Sequence, residues 1–335
     1  MDMVVQNIEN FSRRRSQRPF LSIVAPCYNE EACLPEFYRR VTDAGRQAAS
    51  EDYEIIFVND GSRDRTREVM ETLVASDPHV VAINLSRNFG HQLALTAGLQ
   101  ACSGARILII DADLQDPPEL LGAMMRKIDE GADVVYGRRS TREGETHFKV
   151  LSAKLFYRLL RTMIDVDIPA DTGDFRLITR RVLDRLNSMP EHHRFIRGMV
   201  SWIGLKQVPL DYERDPRFAG TTEYPLLKML RFAVDAVTGF SVTPLRTASF
   251  LGVALGLGSL MMIIYTLGSW LTGSTVDGWT SLTTIVLLIG SVQLVTLGVI
   301  GEYLGRLYME SKQRPLFIVD NVVSQQSSTP IRYES

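Results

Sequence analysis

The chain has 335 residues, and its 37 lysines and arginines against 39 aspartates and glutamates give a formal net charge of −2. Hydrophobic residues make up 45% and charged residues 23% of the sequence, a composition that excludes a disordered chain, a collagen and a disulfide-rich scaffold. The near-neutral charge argues against a dedicated nucleic-acid binder, so no nucleic-acid partner is expected.

Short β-branched runs alternate with helical patterns in the first part of the chain. Strands are predicted over residues 21–26, 53–59, 80–85, 106–111 and 133–137. Helices are predicted between them, over residues 31–48, 64–75, 90–101 and 118–130. Alternation at this spacing predicts an α/β domain with a mostly parallel sheet covered by helices on both faces. Ligands of such sheets bind at the carboxyl ends of the strands.

Polar clusters follow three of these predicted strands. They read Tyr28-Asn29-Glu30, Asp60-Gly61-Ser62 and Asp111-Ala112-Asp113. The first strand–helix turn contains no glycine, so it lacks the backbone cradle for pyrophosphate that defines a dinucleotide-binding fold. A nucleotide bound at this sheet therefore needs another group to neutralise its phosphates.

Asp111 and Asp113 can supply that group by holding a divalent metal ion. Residues two apart in an extended segment point the same way, so both carboxylates can face one pocket. Hard oxygen ligands suit Mg²⁺ or Mn²⁺, and the side-chain oxygen of Gln115 is a permitted third ligand. Asp116, which precedes two prolines, is expected to cap the following helix instead.

Two apolar runs without charged residues lie further along, near residues 248–271 and 282–300. Each is long enough to cross a membrane as a helix, with a buried core helix as the alternative. Lysines and arginines flank the pair on its outer ends, and the connecting segment carries only Asp277. The positive-inside rule then predicts a multi-pass membrane protein with the α/β domain and both termini in the cytoplasm.

Other features near these runs are less specific. Residues 224–240 have amphipathic helical spacing, which fits a helix on the membrane surface or one packed on the catalytic domain. Two GxxxG spacings, at Gly252/Gly256 and Gly301/Gly305, favour a homo-oligomer. Residues 311–320 predict one short strand, and residues 321–335 are polar enough to lack regular structure.

Longer motifs show that the sequence resembles the family 2 glycosyltransferases with a GT-A fold. The matching stretches within residues 21–120 are VAPCYNEE, VNDGSRDRT, LSRNFGHQLALTAGL and DADLQDPPE. Further stretches are YGRR at 136–139, TGDFRLITRRV at 172–182 and HHRFIRGMVSWIG at 192–204. Together with the two apolar runs they resemble the polyisoprenyl-phosphate glycosyltransferases, above all the bacterial undecaprenyl-phosphate (bactoprenol) glucosyltransferases.

The resemblance implies a role for each matching residue. The donor nucleotide would be held by Pro26, Tyr28, Glu30, Asp60, Asp111 and Arg87. The metal ion, Mg²⁺ or Mn²⁺, would be held by Asp111, Asp113 and Gln115. The acceptor phosphate or the diphosphate would be bound by Arg138, Arg139, Arg176, Arg197 and Arg217. Asp174 matches the proposed base of the family, and it and Asp113 are the predicted catalytic residues. In one departure, Glu223 stands where the family usually has lysine.

The lipid acceptor changes what is expected of Asp174. The second pKa of a phosphate monoester is about 6, so the acceptor is already mostly dianionic at neutral pH and has little need of a strong base. We expect Asp174 mainly to orient the acceptor or a basic partner and to remove a residual proton. An ordinary structural ion pair is the alternative.

The resemblance thus implies an inverting, metal-dependent enzyme that transfers a hexose, glucose from UDP-glucose, to undecaprenyl or another polyprenyl phosphate. GDP-mannose, UDP-GlcNAc and an aminoarabinose nucleotide stay open as donors, and a non-catalytic glycolipid scaffold or transport partner is the alternative of another class. The expected division of the chain has five parts. These are an extension (1–20), a cytosolic GT-A domain (21–223), a juxtamembrane segment (224–245), a transmembrane region (246–305) and a cytosolic tail (306–335).

Overall fold

The structure is a computed structural model that describes residues 19–139, 172–213, 241, 243–272 and 278–325. The described residues fall into two compact units. One contains a β-sheet with its helices and includes the C-terminal residues from Gln313 onward. The other contains two long apolar helices and ends at Lys312.

Eight strands form the sheet of the first unit. They are β1 (Leu21–Cys27), β2 (Tyr53–Asn59), β3 (Val80–Leu85), β4 (Arg106–Ile109), β5 (Val134–Arg139), β6 (Thr172–Thr179), β7 (Gln207–Tyr212) and β8 (Val319–Ser324). Their order across the sheet is β7-β5-β6-β4-β1-β2-β3-β8. Four of the seven neighbouring pairs are parallel, and the antiparallel pairs involve β6 and β8. The predicted mostly parallel sheet is therefore confirmed.

Six helices of the same unit connect or flank these strands. They are α1 (Leu34–Ala49), α2 (Thr66–Ser76), α3 (His91–Ala101), α4 (Leu121–Asp129), α5 (Arg180–Asn187) and α6 (Ile196–Ile203). The predicted helices correspond to α1–α4. In α1 the apolar residues Leu34, Phe37 and Val41 recur at helical spacing and are all buried, so the spacing of apolar residues correctly predicts a helix there. α3 lies against the sheet so closely that a Cβ on Gly98 would come within 2.4 Å of a Val24 side-chain atom.

The strand order creates a crevice beside β1. The chain adds β2 and β3 on one side of β1 and then places β4 on the other side. Such a reversal leaves a gap outside the carboxyl ends of the two strands that flank it, where ligands of open α/β sheets bind. Every residue of β1, β2 and β3 is buried, so the crevice is built on a rigid base.

The C-terminal strand differs from its prediction. The predicted strand lies within residues 311–320, but β8 runs from Val319 to Ser324. Residues 321–324, expected to lack regular structure, are therefore part of the sheet. Their pairing with the edge of β3, together with burial of Val319 and Val322, accounts for the difference.

The second unit contains α7 (Thr243–Leu271) and α8 (Trp279–Ser311). Within them, Thr243–Tyr265 and Leu288–Ser311 are long and apolar enough to cross a membrane. Only 6% and 0% of these stretches are buried, so the alternative of a buried core helix is wrong for the part of the chain described. The predicted amphipathic segment 224–240, Arg217 and Glu223 lie outside the described residues.

Candidate active site

A cleft of about 340 Å³ opens at the crevice beside β1, a volume typical of a small-ligand site. It is lined by Pro26, Cys27, Tyr28, Glu30, Asp60, Asn88, Gly90, His91, Ala94, Asp111, Ala112 and Asp113. The three polar clusters predicted at strand ends therefore meet in one place. Of the predicted nucleotide and metal residues, the cleft brings together Pro26, Tyr28, Glu30, Asp60, Asp111 and Asp113.

Side chains rather than glycines shape the first wall of the cleft, the turn after β1. Asn29 has a φ of 57°, in the left-handed region that asparagine tolerates better than most residues. Its backbone N–H donates to Ser62 Oγ at 3.1 Å, and its Oδ1 accepts from the Arg63 N–H at 2.9 Å. The Glu30 N–H donates to Thr66 Oγ1 at 2.8 Å. The turns after β1 and β2 are thus joined into one structure.

Asp60 shapes the second wall, the loop of residues 86–90. One carboxylate oxygen accepts from the Phe89 N–H at 2.7 Å and the other from the Gly90 N–H at 2.9 Å. Burial raises the pKa of Asp60 even though these two hydrogen bonds oppose the shift. A Cβ on the neighbouring Gly61 would lie 2.4 Å from the Arg87 carbonyl carbon, so only glycine permits this close approach. That Asp60 also contacts the base or ribose stays a prediction.

Asp111 and Asp113 fit a divalent metal ion whose remaining ligands come from a bound phosphate. In the part of the chain described, Asp111 Oδ1 is buried and accepts no hydrogen bond, although His91 Nε2 lies 3.5 Å away, and a buried oxygen of this kind favours a cation. Burial, and the charges of Asp174, Asp116 and Asp113, raise the pKa of Asp111 to about 6 although His91 opposes the shift. Among the described residues no three His, Cys, Asp or Glu side chains form a metal group. Mg²⁺ commonly uses only one or two carboxylates together with substrate phosphates.

Asp174 lies at the centre of a second cluster, beside the cleft. Its side chain is 1% exposed, and its oxygens accept from His91 Nε2 at 3.1 Å, Gln92 Nε2 at 3.0 Å and Arg197 Nε at 2.8 Å. Although burial opposes ionisation, the Arg197 charge and the His91 hydrogen bond hold the pKa of Asp174 well below its usual range. An ionised carboxylate with this many donors orients its partners and is a poor proton acceptor.

His91 joins the two clusters and is not among the predicted site residues. Its Nε2 lies 3.5 Å from Asp111 Oδ1 and 3.1 Å from Asp174 Oδ2, while the side chain remains 43% exposed. Burial lowers the pKa of His91, but the Asp174 hydrogen bond and the two carboxylate charges outweigh it and raise the pKa to about 9. The signal that could have found it is its position, directly after Gly90 at the start of a helix that opens on the crevice.

Two predicted phosphate-binding arginines come together beside Asp174. A Cβ on Gly173 would lie 3.0 Å from an Arg139 guanidinium nitrogen, and Arg176 donates to the Gly173 carbonyl at 3.1 Å. Arg139 and Arg176 each have a buried Nε without a hydrogen-bond partner in the described structure. Burial lowers the pKa of Arg176 to about 10, against the opposing charge of Asp174, so it stays protonated at neutral pH. Arg197 contacts the Asp174 carboxylate directly and the charge of Arg176 acts on it, whereas Arg139 lies on the Gly173 side of the strand, near Asp116.

Other predicted residues lie elsewhere. Arg138 forms an ion pair with Asp211 at 2.6 Å on the surface, and Arg87 is exposed with its guanidinium over the Phe89 ring. Gln115 is buried and does not line the cleft. The predicted helix cap at Asp116 is wrong, because the helical turn there has no side-chain cap.

Asp116 has a different partner, the hydroxyl of Tyr212. That hydroxyl donates to Asp116 Oδ1, and the carboxylate is fully buried. Tyr212 is the last residue of β7, a strand that the sequence does not predict. The hydrogen bond therefore ties the segment after Asp113 to the far side of the sheet.

Comparison with known proteins adds independent information. Residues 22–186 match the family described as glycosyl transferase family 2. A Bacillus subtilis protein called uncharacterized glycosyltransferase YkcC is 51% identical over 299 residues, covering 89% of this chain and 92% of its own length. A prophage bactoprenol glucosyl transferase homolog from Escherichia coli is 37% identical over 308 residues, covering 90% and 99%. The solved structure of Staphylococcus aureus TarS residues 1–349 aligns with a TM-score of 0.42 and 17% identity, covering 58% and 59%.

Proposed function

The chain belongs to glycosyl transferase family 2, and from this premise we propose that it transfers a hexose from a nucleotide sugar to a polyprenyl phosphate. The fold is the GT-A fold of that family. Glucose from UDP-glucose is the proposed donor and undecaprenyl phosphate the proposed acceptor. Relatives named bactoprenol glucosyl transferases, 37% and 38% identical over nine-tenths of this chain, support both choices.

The observation that carries the proposal is that an acidic cleft lies next to a group of arginine residues near Asp174, with His91 between the two. Asp111 and Asp113 line the cleft, and His91 connects them to Asp174 and Arg197. A nucleotide diphosphate in the cleft would therefore have its sugar close to a site that suits an anionic acceptor. A family 2 enzyme with a neutral acceptor would have no need of a buried guanidinium group such as that of Arg176 at that place.

Asp111 and Asp113 would hold Mg²⁺ or Mn²⁺ in the loaded enzyme. When bound, the ion supplies charge neutralisation of the diphosphate leaving group. Pro26, Tyr28 and Glu30 would contact the nucleoside, as the resemblance implies. Asp60 holds the loop of residues 86–90 in place through two backbone hydrogen bonds.

The acceptor phosphate would be bound by Arg139, Arg176 and Arg197. Guanidinium groups make bidentate contacts with phosphate oxygens, and the buried Nε of Arg139 and of Arg176 has no hydrogen-bond partner among the described residues. Because the phosphate monoester is already mostly dianionic at neutral pH, direct attack on the anomeric carbon with inversion needs no strong base. Asp174 would then serve to hold His91 and Arg197 in the orientation that meets the acceptor.

The two apolar helices fit a lipid acceptor. Almost no residues of their stretches Thr243–Tyr265 and Leu288–Ser311 are buried, and large uncovered apolar surfaces on a chain are normally covered by lipid or by protein. We propose that they cross the bacterial inner membrane, with the catalytic unit in the cytoplasm. The lysines and arginines on the outer flanks of the helices support that orientation. Whether the chain is a homo-oligomer stays a prediction from its GxxxG spacings.

The test is glycolipid synthesis by the purified full-length chain in nanodiscs. Undecaprenyl phosphate would be incubated with radiolabelled UDP-glucose, UDP-GlcNAc, GDP-mannose or an aminoarabinose nucleotide, with and without EDTA. We expect labelled lipid from UDP-glucose, lost in EDTA and restored by excess Mg²⁺ or Mn²⁺. Labelled lipid from another donor alone would correct the sugar, and synthesis unaffected by EDTA would overturn the metal ion.

Two variants separate an enzyme from a scaffold. Replacing Asp111 and Asp113 by asparagine should abolish synthesis because both proposed metal ligands lose their charge. Asp43→Asn is the matched control, since Asp43 is an exposed carboxylate on α1. If the double variant made glycolipid at the wild-type rate, the catalytic assignment would be wrong and a non-catalytic role would be favoured.

A further inference from the structure

Three side-chain amides form a hydrogen-bonded line that crosses the sheet from the cleft to its edge. Asn59 is the last residue of β2, Asn84 lies in β3 and Asn321 lies in β8. Asn59 Nδ2 donates to Asn84 Oδ1 at 2.9 Å, and Asn84 Nδ2 donates to Asn321 Oδ1 at 2.7 Å. Asn59 and Asn84 are both buried. None of the three lines the cleft, and the proposed chemistry uses none of them.

The orientation of all three amides follows from a single backbone group. The Ser62 N–H donates to Asn59 Oδ1 at 2.9 Å. A backbone N–H can only donate, so the Asn59 oxygen must face Ser62 and its NH₂ must face Asn84. The same reasoning turns the Asn84 oxygen toward Asn59 and its NH₂ toward residue 321. The side chain at position 321 therefore has to be an acceptor, or a buried NH₂ loses its partner.

The line ends at the first wall of the cleft. Ser62, which is fixed by Asn59, accepts from the Asn29 N–H through its hydroxyl oxygen at 3.1 Å. Asn29 stands between Tyr28 and Glu30, two residues that line the cleft. The position of those two side chains thus depends on a chain of hydrogen bonds that starts at the edge strand.

The same strand also holds the second wall. The Ser86 N–H donates to the Ile318 carbonyl at 2.9 Å, and Ser86 begins the loop whose other end is fixed by Asp60. The pairing of β3 with β8 shifts register beside Asn84, so that Asp320 has no opposite residue. Such β-bulges redirect neighbouring side chains and are common next to active sites.

We propose that Asn321 is a positioning residue for the donor nucleotide, because β8 and the residue that precedes it hold both loops of the cleft, through the amide line and the Ile318 carbonyl. The inference rests on the proposed function in one respect, since it takes the cleft to be the site of the nucleotide. It assigns Asn321 no contact with either substrate. It predicts a defect in donor binding with little change in the rate at saturation.

The test compares two substitutions of nearly equal size. Asn321→Asp keeps an acceptor facing Asn84, whereas Asn321→Leu removes it. Asp320→Asn is the control on the same strand, since Asp320 is half-exposed and pairs only with Arg67 in the described structure. Binding of UDP with Mg²⁺ to each full-length chain in detergent would be measured by calorimetry, together with donor KM, kcat and the melting temperature.

The loss of one hydrogen bond to a buried amide predicts a rise of at least about fivefold in Kd for UDP and in donor KM for Asn321→Leu. We expect kcat to stay within about twofold, because the reacting groups are untouched. Asn321→Asp and Asp320→Asn should bind UDP like the wild type. Wild-type affinity in a folded Asn321→Leu chain would overturn the proposal, and so would an equal loss in Asn321→Asp.

Two further outcomes separate this inference from the proposed function and from a role in folding. A wild-type chain that binds neither UDP nor GDP contradicts the proposed function, and the inference fails with it before any variant is compared. If Asn321→Leu does not fold, Asn321→Ala replaces it with a smaller side chain. Failure of both to fold, with Asn321→Asp folded, would assign the amide line to folding and overturn the positioning role.

Discussion

Replacing Asp174 by asparagine tests the central cluster of the site. The substitution keeps the shape of the side chain, removes its charge and turns one acceptor into a donor. In the wild type the two oxygens accept from His91, Gln92 and Arg197. The asparagine NH₂ would have to face at least one of these donors, so the cluster loses both an ion pair and a hydrogen bond.

The magnitude follows from the burial of the partners. Removing one member of a fully buried ion pair costs about 3–5 kcal/mol. The Arg197 side chain is 30% exposed and that of His91 43% exposed, so water can partly replace the lost carboxylate. We therefore expect a loss of about 2 kcal/mol in the free energy of unfolding. Misorientation of Arg197 and His91 should lower kcat/KM by about a hundredfold.

The assay measures thermal unfolding and glycolipid synthesis of the full chain in detergent over a range of pH, with Asp211→Asn as an exposed control. The pKa of Asp174 lies well below its usual range, so the group is ionised throughout and its stabilisation disappears only as the pH falls through that lowered pKa. The activity loss of Asp174→Asn should accordingly be the same at every pH tested. A variant with an unchanged melting temperature, or one whose activity recovers as the pH rises, would refute the positioning role.

Three smaller predictions concern other parts of the sheet unit. Gly98→Ala should destabilise the fold by about 1–3 kcal/mol because its Cβ would lie 2.4 Å from a β1 side chain; Gly122→Ala, which meets open space, should leave the melting temperature unchanged. Arg138→Gln removes only a surface pair with Asp211, so the expected cost is below about 1 kcal/mol, and a raised KM for either substrate would instead support the predicted phosphate contact. Despite its burial, hydrogen bonds to the Asp77 carboxylate lower its pKa. The stabilisation that Asp77 provides is therefore lost as the pH falls below about 4. In Asp77→Asn the melting temperature should fall less between neutral and acid pH than it does in the wild type.

Much of the fold can be predicted from sequence because β1–β4 are continuous apolar runs between well-marked helices. The same reasoning does not predict β6. Its sequence, TGDFRLIT, contains Asp174 and Arg176, and charged residues at alternate positions indicate a solvent-facing side. Both are in fact buried. Asp174 is paired there with His91 and Arg197, which other elements bring in, and Arg176 lies beside Asp174 itself. No local pattern contains that information.

Some residues of the site can likewise be predicted from sequence and others cannot. Residues that follow strand ends can be found because the carboxyl edge of a parallel sheet is where ligands bind, and the cleft contains most of them. His91 cannot be found in that manner, since its partner Asp174 lies 83 residues away in an unpredicted strand. Arg138 is predicted to bind phosphate, and that role stays a prediction. A basic pair at a strand end suggests phosphate binding, but the alternation of the strand sends one arginine to the surface and the other toward Gly173.

The position of β8 in the chain has a consequence for biosynthesis. The strand that completes the sheet beside β3 follows both apolar helices in sequence. During translation, domains begin to fold from the amino terminus, but here the ribosome must release α7 and α8 before β8 can pair. Until then the edge of β3 stays open and Asn84 lacks its outer acceptor. The sheet is therefore completed only after both apolar helices have left the ribosome, so the mature cleft forms last in synthesis.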